Sequence, residues 1–307
     1  MTLQKAVLSI GVVAIWVSGC IGDPGGGGGG GVNFHAGYTF IRSGEVYLSD
    51  RSDYTRVVQL TNTGNNHNPS ISPDSSRAVF VHRSGDRSEL DTIAVNASGV
   101  SPTLVYASDS THTNFKMPVF SRDGTFIVFA YESGASSFLG RVDRDGTNFR
   151  RVTSGTRSYS APSVYSDGLR VLASAGNSSF RYDSLETISL GTGAASSVTN
   201  MFPQGVLEIA NRAVISPNGR NIAVDFRTSS VTRVFSYDIA VSRFNQLTDY
   251  PGAQLTNDSF PSWVGDDLIG FSSDFGNNDS IYEIARTATN GSGTLKLASA
   301  VEPSFGP

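Results

Sequence analysis

The chain has almost no cysteine, because its 307 residues contain only one, Cys20. A disulfide within the chain is therefore excluded, although many small exported domains depend on such cross-links. The folded part of this protein must be stabilised by its apolar core and its hydrogen bonds.

Clusters of lysine and arginine are also absent. Without its first nineteen residues the chain carries 22 basic and 27 acidic side chains, which gives a net charge of −5. A field of this sign attracts neither nucleic acid nor an anionic lipid surface. We therefore expect no nucleic-acid partner.

The amino-terminal segment has the features of an export signal. "MTLQKAVLSIGVVAIWVSGC" (1–20) places one cation, Lys5, before an apolar run and then small residues. The run is shorter than a membrane-spanning helix requires. "VSGC" (17–20) resembles the lipobox of bacterial lipoproteins, in which the cysteine thiol is acylated. We predict a signal peptide over 1–19 and a lipid anchor at Cys20.

A glycine-rich segment, "IGDPGGGGGGGVN" (21–33), follows the cysteine. Glycine has no side chain to bury and the most backbone entropy to lose, so we predict a lipidated tether over 20–33. Ile21, rather than aspartate, follows Cys20, which resembles the lipoproteins that are sorted to the outer membrane. We expect an exported protein, anchored to a bacterial membrane, with the outer membrane favoured and its domain facing the periplasm or the cell surface.

Residues 34–307 show no helical periodicity and instead repeat one short pattern. Its clearest copy is "NPSISPDSS" (68–76), and further copies are "MPVFSRDGT" (117–125), "APSVYSDGL" (161–169), "RAVISPNGR" (212–220), "FPSWVGDDL" (260–268) and, in part, "EPSFGP" (302–307). Successive copies are 42 to 51 residues apart. A period of this length is typical of repeat architectures.

Each repeat contains four short segments with strand-like alternation. In the second repeat they are "NPSISPD", "RAVFVHR", "LDTIAV" and "TLVYAS", separated by turn signals. Four strands per repeat indicate a propeller blade, and blades cover their apolar faces only by packing around an axis. The sequence predicts an all-β fold, a monomeric six-bladed β-propeller of four-stranded antiparallel blades over 34–307.

The first repeat lacks its first strand. It consists of "GYTFIRS" (37–43), "GEVYLSD" (44–50) and "RVVQLT" (56–61), whereas "EPSFGP" (302–307) is a first strand without the other three. We therefore predict that this carboxyl-terminal strand joins the first blade and closes the ring, which removes the free sheet edges.

The repeat resembles that of TolB-type β-propellers. The matching segments are "FSRDGTFIVFAYES" (120–133) with "RRVT" (150–153), "ISPNGRNIAVDF" (215–226) with "QLT" (246–248), and "DSIYEIA" (279–285). Two features depart from the family pattern. The tether leaves no room for the α/β domain of TolB, and the outer strands of the fourth repeat are degraded. The resemblance implies the scaffold and leaves the function open.

The predicted topology gives the propeller two unlike faces. The turn face contains the first-to-second and third-to-fourth turns, whose Asp and Asn residues we expect to stabilise the turns. The loop face carries longer and unlike connections: "NTGNNHN" (62–68), "ASDSTHTNFK" (107–116), "TNMFPQGVLEIANR" (199–212) and "DYPGAQLTNDS" (249–259). Variable loops on a rigid frame are the usual place for recognition.

When the repeats are aligned, the proline of the pattern forms one column, which Ala213 occupies in the fifth repeat. In each repeat, the loop-face residue before this proline column is expected nearest the axis. These residues are Asn68, Met117, Ala161, Arg212, Phe260 and Glu302. The partner-binding residues that we predict at the mouth of the channel are Asn68, Arg212, Phe260 and Glu302. A salt-bridged rim formed by Arg212 and Glu302 is the structural alternative.

Two histidines of the loop face suggest a metal site as a second alternative. His67 and His112 occupy neighbouring connections and resemble the axial histidines of propeller lyases that hold a divalent cation. The remaining connections offer no clear third ligand, so we interpret both as hydrogen-bonding loop residues that take part in partner binding. We predict no metal and no cofactor.

The sequence also lacks the motifs of hydrolases. It contains no G-x-S-x-G elbow, no S-x-x-K pair and no H-E-x-x-H helix. We therefore expect a lipid-anchored propeller without catalysis of its own, which binds an envelope protein or peptide on its loop face. The alternative is a small propeller enzyme that acts on polysaccharide with an axial metal at His67 and His112.

The lipobox interpretation predicts the effect of one substitution. Cys20→Ser removes the thiol that carries the acyl chains, so the protein should leave the membrane fraction. Carbonate washing followed by fractionation measures this release. A variant that remains bound to the membrane after washing would contradict the interpretation.

Overall fold

The computed structural model describes residues 35–95, 100–177, 180–249 and 255–305. The predicted signal peptide, the Cys20 anchor and the tether lie outside the described residues, as do Gly306 and Pro307. Within these ranges, no helix is long and apolar enough to cross a membrane.

The described residues form six four-stranded antiparallel sheets around one axis, as predicted. Blade 1 contains β1 (Ala36–Arg42), β2 (Glu45–Asp50), β3 (Val57–Gln59) and the last strand, β24 (Val301–Phe305). Blade 2 contains β4 (Asn66–Ile71), β5 (Arg77–Ser84), β6 (Arg87–Ala94) and β7 (Thr103–Ala107). Blade 3 contains β8 (Thr113–Phe120), β9 (Phe126–Ser133), β10 (Ser136–Asp143) and β11 (Arg150–Arg151).

The other three blades follow the same order from the axis outward. Blade 4 contains β12 (Ser158–Val164), β13 (Arg170–Gly176), β14 (Tyr182–Ser189) and β15 (Ala195–Thr199). Blade 5 contains β16 (Glu208–Ile215), β17 (Asn221–Arg227), β18 (Thr232–Asp238) and β19 (Arg243–Gln246). Blade 6 contains β20 (Asp258–Val264), β21 (Leu268–Ser273), β22 (Ser280–Ala285) and β23 (Thr294–Ala298), with one 3₁₀ turn at Phe275–Asn277.

The fourth repeat forms complete outer strands, β14 and β15, as the prediction of four-stranded blades requires, although its sequence there matches the repeat poorly. One detail differs from the sequence predictions. The innermost strands begin several residues before the proline column; β8, for example, begins at Thr113 rather than near Pro118. The strands continue through the prolines because a bulge interrupts the pairing at that point.

The core consists of six apolar clusters, one at each contact between neighbouring blades. β9 illustrates how one strand serves two of them, because its side chains alternate between the two faces of the blade. Phe129 and Tyr131 pack with blade 2, while Val128 and Ala130 pack with blade 4. Both faces of each blade are therefore covered only when the ring is complete.

The carboxyl-terminal strand closes the ring, as predicted. β24 pairs with β1, with Tyr38 opposite Phe305 and Thr39 opposite Ser304. The Tyr38 ring packs edge-on against Phe305 at 4.8 Å between centroids, and its hydroxyl donates to Glu283 of blade 6 at 2.9 Å. Gly270 leaves the space for this hydroxyl, since a Cβ there would lie 2.2 Å from it.

The turn-face acids stabilise the turns. Asp74 Oδ1 accepts from the Ser72 hydroxyl at 2.6 Å and from the Ser76 amide at 3.0 Å. The same arrangement recurs at Asp123 in blade 3 and, with an amide in place of the carboxylate, at Asn218 in blade 5. These hydrogen bonds lower the pKa of Asp74 to about 2, with the Ser72 bond as the main cause.

Closure of the ring predicts a strong effect at Phe305. Phe305→Ala should reduce stability by about 2 kcal/mol through lost burial and a residual cavity, which corresponds to a fall in Tm of about 5 °C. Thermal unfolding of the full chain measures it. Leu295→Ala is the matched control, because Leu295 is 52% exposed and its loss should leave Tm nearly unchanged. Equal midpoints for the wild type and Phe305→Ala would contradict the closure.

The low pKa of Asp74 predicts a pH-dependent contribution to stability. A pKa below the unfolded value of 3.8 means that the carboxylate stabilises the fold above about pH 4 and stops doing so as the pH falls to about 2. The Tm difference between the wild type and Asp74→Ala should therefore shrink over that range. Asn218→Ala is the control, because an amide does not titrate. A difference for Asp74→Ala that stays constant with pH would contradict this assignment.

Candidate functional site

Each innermost strand carries a bulge where the sequence predicts the axial residue. The residue before proline has a positive φ between 49° and 54° in five blades, at Asn68, Met117, Ala161, Phe260 and Glu302. Proline has no amide proton and is tolerated here because the innermost strand is the edge of its blade. Blade 5, with Arg212 before Ala213, has the bulge without the positive φ.

Side chains of neighbouring blades bind the bulge amides on one side of the axis. The Glu302 carboxylate of blade 1 accepts from the Asn68 amide of blade 2. The Asn68 side chain in turn accepts from the Met117 amide of blade 3 at 3.3 Å. The Glu302 amide donates to Ser272 of blade 6 at 2.9 Å. Asn68 and Glu302 therefore lie together at the axis, and they bond to each other.

Asp225, which the sequence analysis missed, organises the opposite side of the axis. It is fully buried in β17. Its two oxygens accept from the backbone amides of Asn211, Arg212 and Phe260 and from the Asn211 side chain, at 2.8 to 2.9 Å. Burial raises the pKa of Asp225, and these bonds oppose the rise. A carboxylate in the otherwise apolar segment "IAVDF" (222–226) was the available signal.

Arg212 spans three blades at the axis. Its Nη2 donates to the backbone carbonyl of Phe260 in blade 6 at 2.9 Å and to that of Pro303 in blade 1. Burial lowers the pKa of Arg212 to about 10, while Asp225 and Glu302 favour its charged form, so the guanidinium is charged at neutral pH. Its Nε is buried and has no acceptor. Among the described residues, Arg212 and Glu302 form no ion pair, so the predicted salt-bridged rim is replaced by bonds to backbone carbonyls.

The two histidines lie in different surroundings. His67 is at the axis, with Nε2 3.3 Å from Asn65 Oδ1 and Nδ1 3.7 Å from Glu302 Oε1. His112 bonds Asp109 at 2.9 Å and packs against the rings of Phe149 and Tyr131 between blades 2 and 3. The described part of the chain contains no group of three or more His, Cys, Asp or Glu residues that could hold a metal ion.

A central cavity of about 370 Å³ extends from the axial residues to the turn face. One end is lined by Asn68, Met117, Ala161 and Arg212, and the other by residues of the first-to-second turns, including Pro73, Arg122 and Pro217. Two other predicted residues, Phe260 and Glu302, line a smaller loop-face cavity of about 250 Å³. Four of the six predicted site residues are thus divided between two cavities that lie toward opposite faces, while His67 and His112 line neither of them.

The loop face also exposes large apolar side chains. Met201 is 80% exposed and Leu207 46% exposed in the connection from blade 4 to blade 5. Phe180, in the connection between β13 and β14, is 36% exposed and has a φ of 58°, which is unusual for a bulky residue. Sequence reasoning selected the connection that contains Met201 and Leu207 for its length, but it did not select the connection between β13 and β14 and did not single out any of these side chains.

The hydrogen bonds of Asp225 predict a large effect of a small substitution. Asp225→Asn should destabilise the protein by about 2 to 4 kcal/mol, because an amide nitrogen would face the Asn211 and Phe260 donors and leave them unsatisfied. Chemical denaturation measures this change. Asp183→Asn removes the same charge at a side chain that is 56% exposed and should change stability little. Equal effects of the two substitutions would contradict the role assigned to Asp225.

No protein-family model and no curated protein matches the chain. Solved structures with a similar fold include TolB from Acinetobacter baumannii, with a TM-score of 0.64 and 16% identity over 89% of this chain and 67% of that one. A putative TolB from Agrobacterium tumefaciens has a TM-score of 0.61 and 14% identity over 90% of this chain and 91% of its own.

An enzyme shares the same fold. An oligogalacturonate lyase in complex with manganese matches with a TM-score of 0.55 and 12% identity, over 81% of this chain and 72% of its own. At identities this low the similarity concerns the fold alone. The chain therefore has a TolB-like six-bladed propeller fold, and solved structures similar to it include both TolB and a lyase.

Proposed function

We propose that this protein is a non-catalytic binding module of the bacterial cell envelope, held at the membrane through Cys20, that docks a protein partner on its loop face. The observation that carries the proposal is the exposure of three large apolar side chains, Phe180, Met201 and Leu207, in connections of the loop face. Exposed apolar groups concentrated on one face are a feature of protein interaction sites.

The three side chains belong to two connections that are joined. Arg181, next to Phe180, donates from Nη2 to the backbone carbonyl of Leu207 at 3.2 Å. The Arg181 guanidinium also lies 3.9 Å from Glu208, which pairs with Arg227 at 3.4 Å. An apolar patch bordered by charged groups resembles the arrangement of a protein interface, with its apolar centre and polar rim.

Within the described ranges, the turn face and the outermost strands offer no comparable patch. Their exposed apolar side chains are distributed over blades 2, 4, 5 and 6, at Val100, Leu104, Leu169, Val241, Leu268 and Leu295. Apolar side chains scattered singly over a surface are normal and need no partner. The apolar surface thus favours the loop face as the docking side.

The axial residues form a frame that holds together the blades on which the patch lies. Arg212 and Asp225 bond to the backbones of other blades, so we assign them to ring stability rather than to direct partner contact. Phe260 and Glu302 border the loop-face cavity and extend the proposed docking surface toward the axis. His67 neighbours Glu302 there, whereas His112 lies in an aromatic cluster beside Asp109.

Partner capture with two matched pairs of substitutions tests the proposal. The full chain is solubilised from the envelope in detergent, the captured protein is identified, and its affinity for the purified chain is measured. Met201→Asp with Leu207→Asp should reduce that affinity about tenfold or more, because charged groups would be buried in an apolar contact. Leu169→Asp with Val241→Asp, on the turn face, should leave it unchanged. Equal losses for both pairs would overturn the proposal.

A further inference from the structure

The central cavity has an unusual charge. Its lining contains three arginines, Arg51, Arg122 and Arg212, and no aspartate or glutamate. This contrasts with the chain as a whole, which is acidic. Four acids of the first-to-second turns follow lining residues in the sequence, and each accepts a hydrogen bond from a turn residue: Asp74, Asp123, Asp167 and Asp266. The cavity thus presents cationic groups without acidic side chains in its lining.

Arg212 lies at the inner end of the cavity with unused donors. Nη2 bonds two backbone carbonyls, but no described residue accepts from Nη1, and Nε is buried without an acceptor. Because Nε is enclosed by the protein and Nη2 is already bonded, Nη1 is the donor that remains for an acceptor on a ligand. Carboxylates are the acceptors that match a guanidinium best in charge and planar shape.

The wall of the cavity between the mouth and Arg212 is largely apolar. Pro69, Pro118 and Pro162 line it, together with the rings of Trp263 and Phe305. The Trp263 ring is held in place by a hydrogen bond from Nε1 to the Val214 carbonyl at 2.9 Å. A volume of about 370 Å³ with an apolar wall and few charged groups is typical of a small-molecule site.

We propose that the central cavity binds a small organic carboxylate, which enters from the turn face, places its carboxylate on Arg212 and packs its apolar body against Trp263 and the proline wall. This site is separate from the proposed docking surface on the loop face. Loss of either one leaves the other intact, so the two proposals stand or fall on different measurements.

Calorimetric titration of the full chain with benzoate and with benzamide tests the site. The two probes have nearly the same shape, and only benzoate carries the charge that Arg212 would bind. Benzoate should bind at least about tenfold more tightly, the ratio expected for a hydrogen bond to a charged group. Sodium sulfate at equal ionic strength controls for a general salt effect. Equal affinities, or no benzoate binding above this control, would overturn the proposal.

Trp263 reports the location of the bound probe. The chain has two tryptophans, Trp16 and Trp263, so Trp16→Phe makes the cavity residue the sole tryptophan. Its emission should change with benzoate along the same curve as the heat of binding. Binding without any change in emission would place the probe outside the cavity and overturn the proposal.

Substitutions then test the role of Arg212. Arg212→Met should weaken benzoate binding about tenfold or more, and Arg144→Met, at an exposed turn-face arginine outside the cavity lining, should have no effect. If Arg212→Met does not fold, Arg51→Gln with Arg122→Gln at the mouth should still weaken benzoate binding severalfold, because both cations are lost. Unchanged affinity in a folded Arg212 variant, or in the mouth variant, would overturn the proposal.

A final comparison separates two sources of the carboxylate. The tripeptide Gly-Gly-Phe is titrated with a free and with an amidated carboxyl terminus. If the free form binds more tightly than benzoate, the natural carboxylate is a peptide chain end. If it binds more weakly, the cavity takes a free small acid. Both outcomes retain the site, whereas measurable binding that is equal for the free and amidated forms would overturn it.

Discussion

The pairing of β24 with β1 is the constraint on which the rest of the structure depends. The described part of the chain contains no cysteine, so no disulfide can hold the first and last blades together, and strand pairing must do so. The same short strand supplies Glu302 to the Asn68 amide, the Pro303 carbonyl to Arg212, and Phe305 to both Tyr38 and the cavity wall. Ring closure and the arrangement of the axial residues therefore depend on the same strand.

The axis shows how this propeller accommodates charged groups in its interior. Arg212 and Asp225 are charged groups in a buried environment, and such groups are tolerated only when hydrogen bonds satisfy them. Asp225 accepts four such bonds, whereas Arg212 uses only part of its donor capacity. Asp225 thus stabilises the ring, and Arg212 retains donor capacity for a ligand. The apolar patch at Met201 and Leu207 lies on a connection that the ring holds in place and that contributes neither side chain to the axial hydrogen bonds.

The sequence predicts the scaffold better than it predicts the site. Three features of the sequence were sufficient to predict the number of blades and the closure of the ring. They are the copies of one pattern, the four strand-like segments in each copy and the isolated first strand at the carboxyl terminus. Asp225 was missed because its partners lie 13 to 35 residues away and meet it only in the folded ring. Arg212 was identified, but not its bond to Pro303 at a separation of 91 residues. Such contacts depend on blade packing, which no local pattern specifies.

Amide hydrogen exchange of the full chain tests the closure most directly, because it needs no substitution. The amides of Glu302 and Phe305 donate to Ser272 and Ser262 of blade 6 at 2.9 Å and 2.8 Å. They should therefore exchange as slowly as amides in the central strands of blades 3 and 5, which open only with global unfolding. Exchange of both amides at the rate of an unstructured peptide, while those central strands remain protected, would contradict a ring closed by β24.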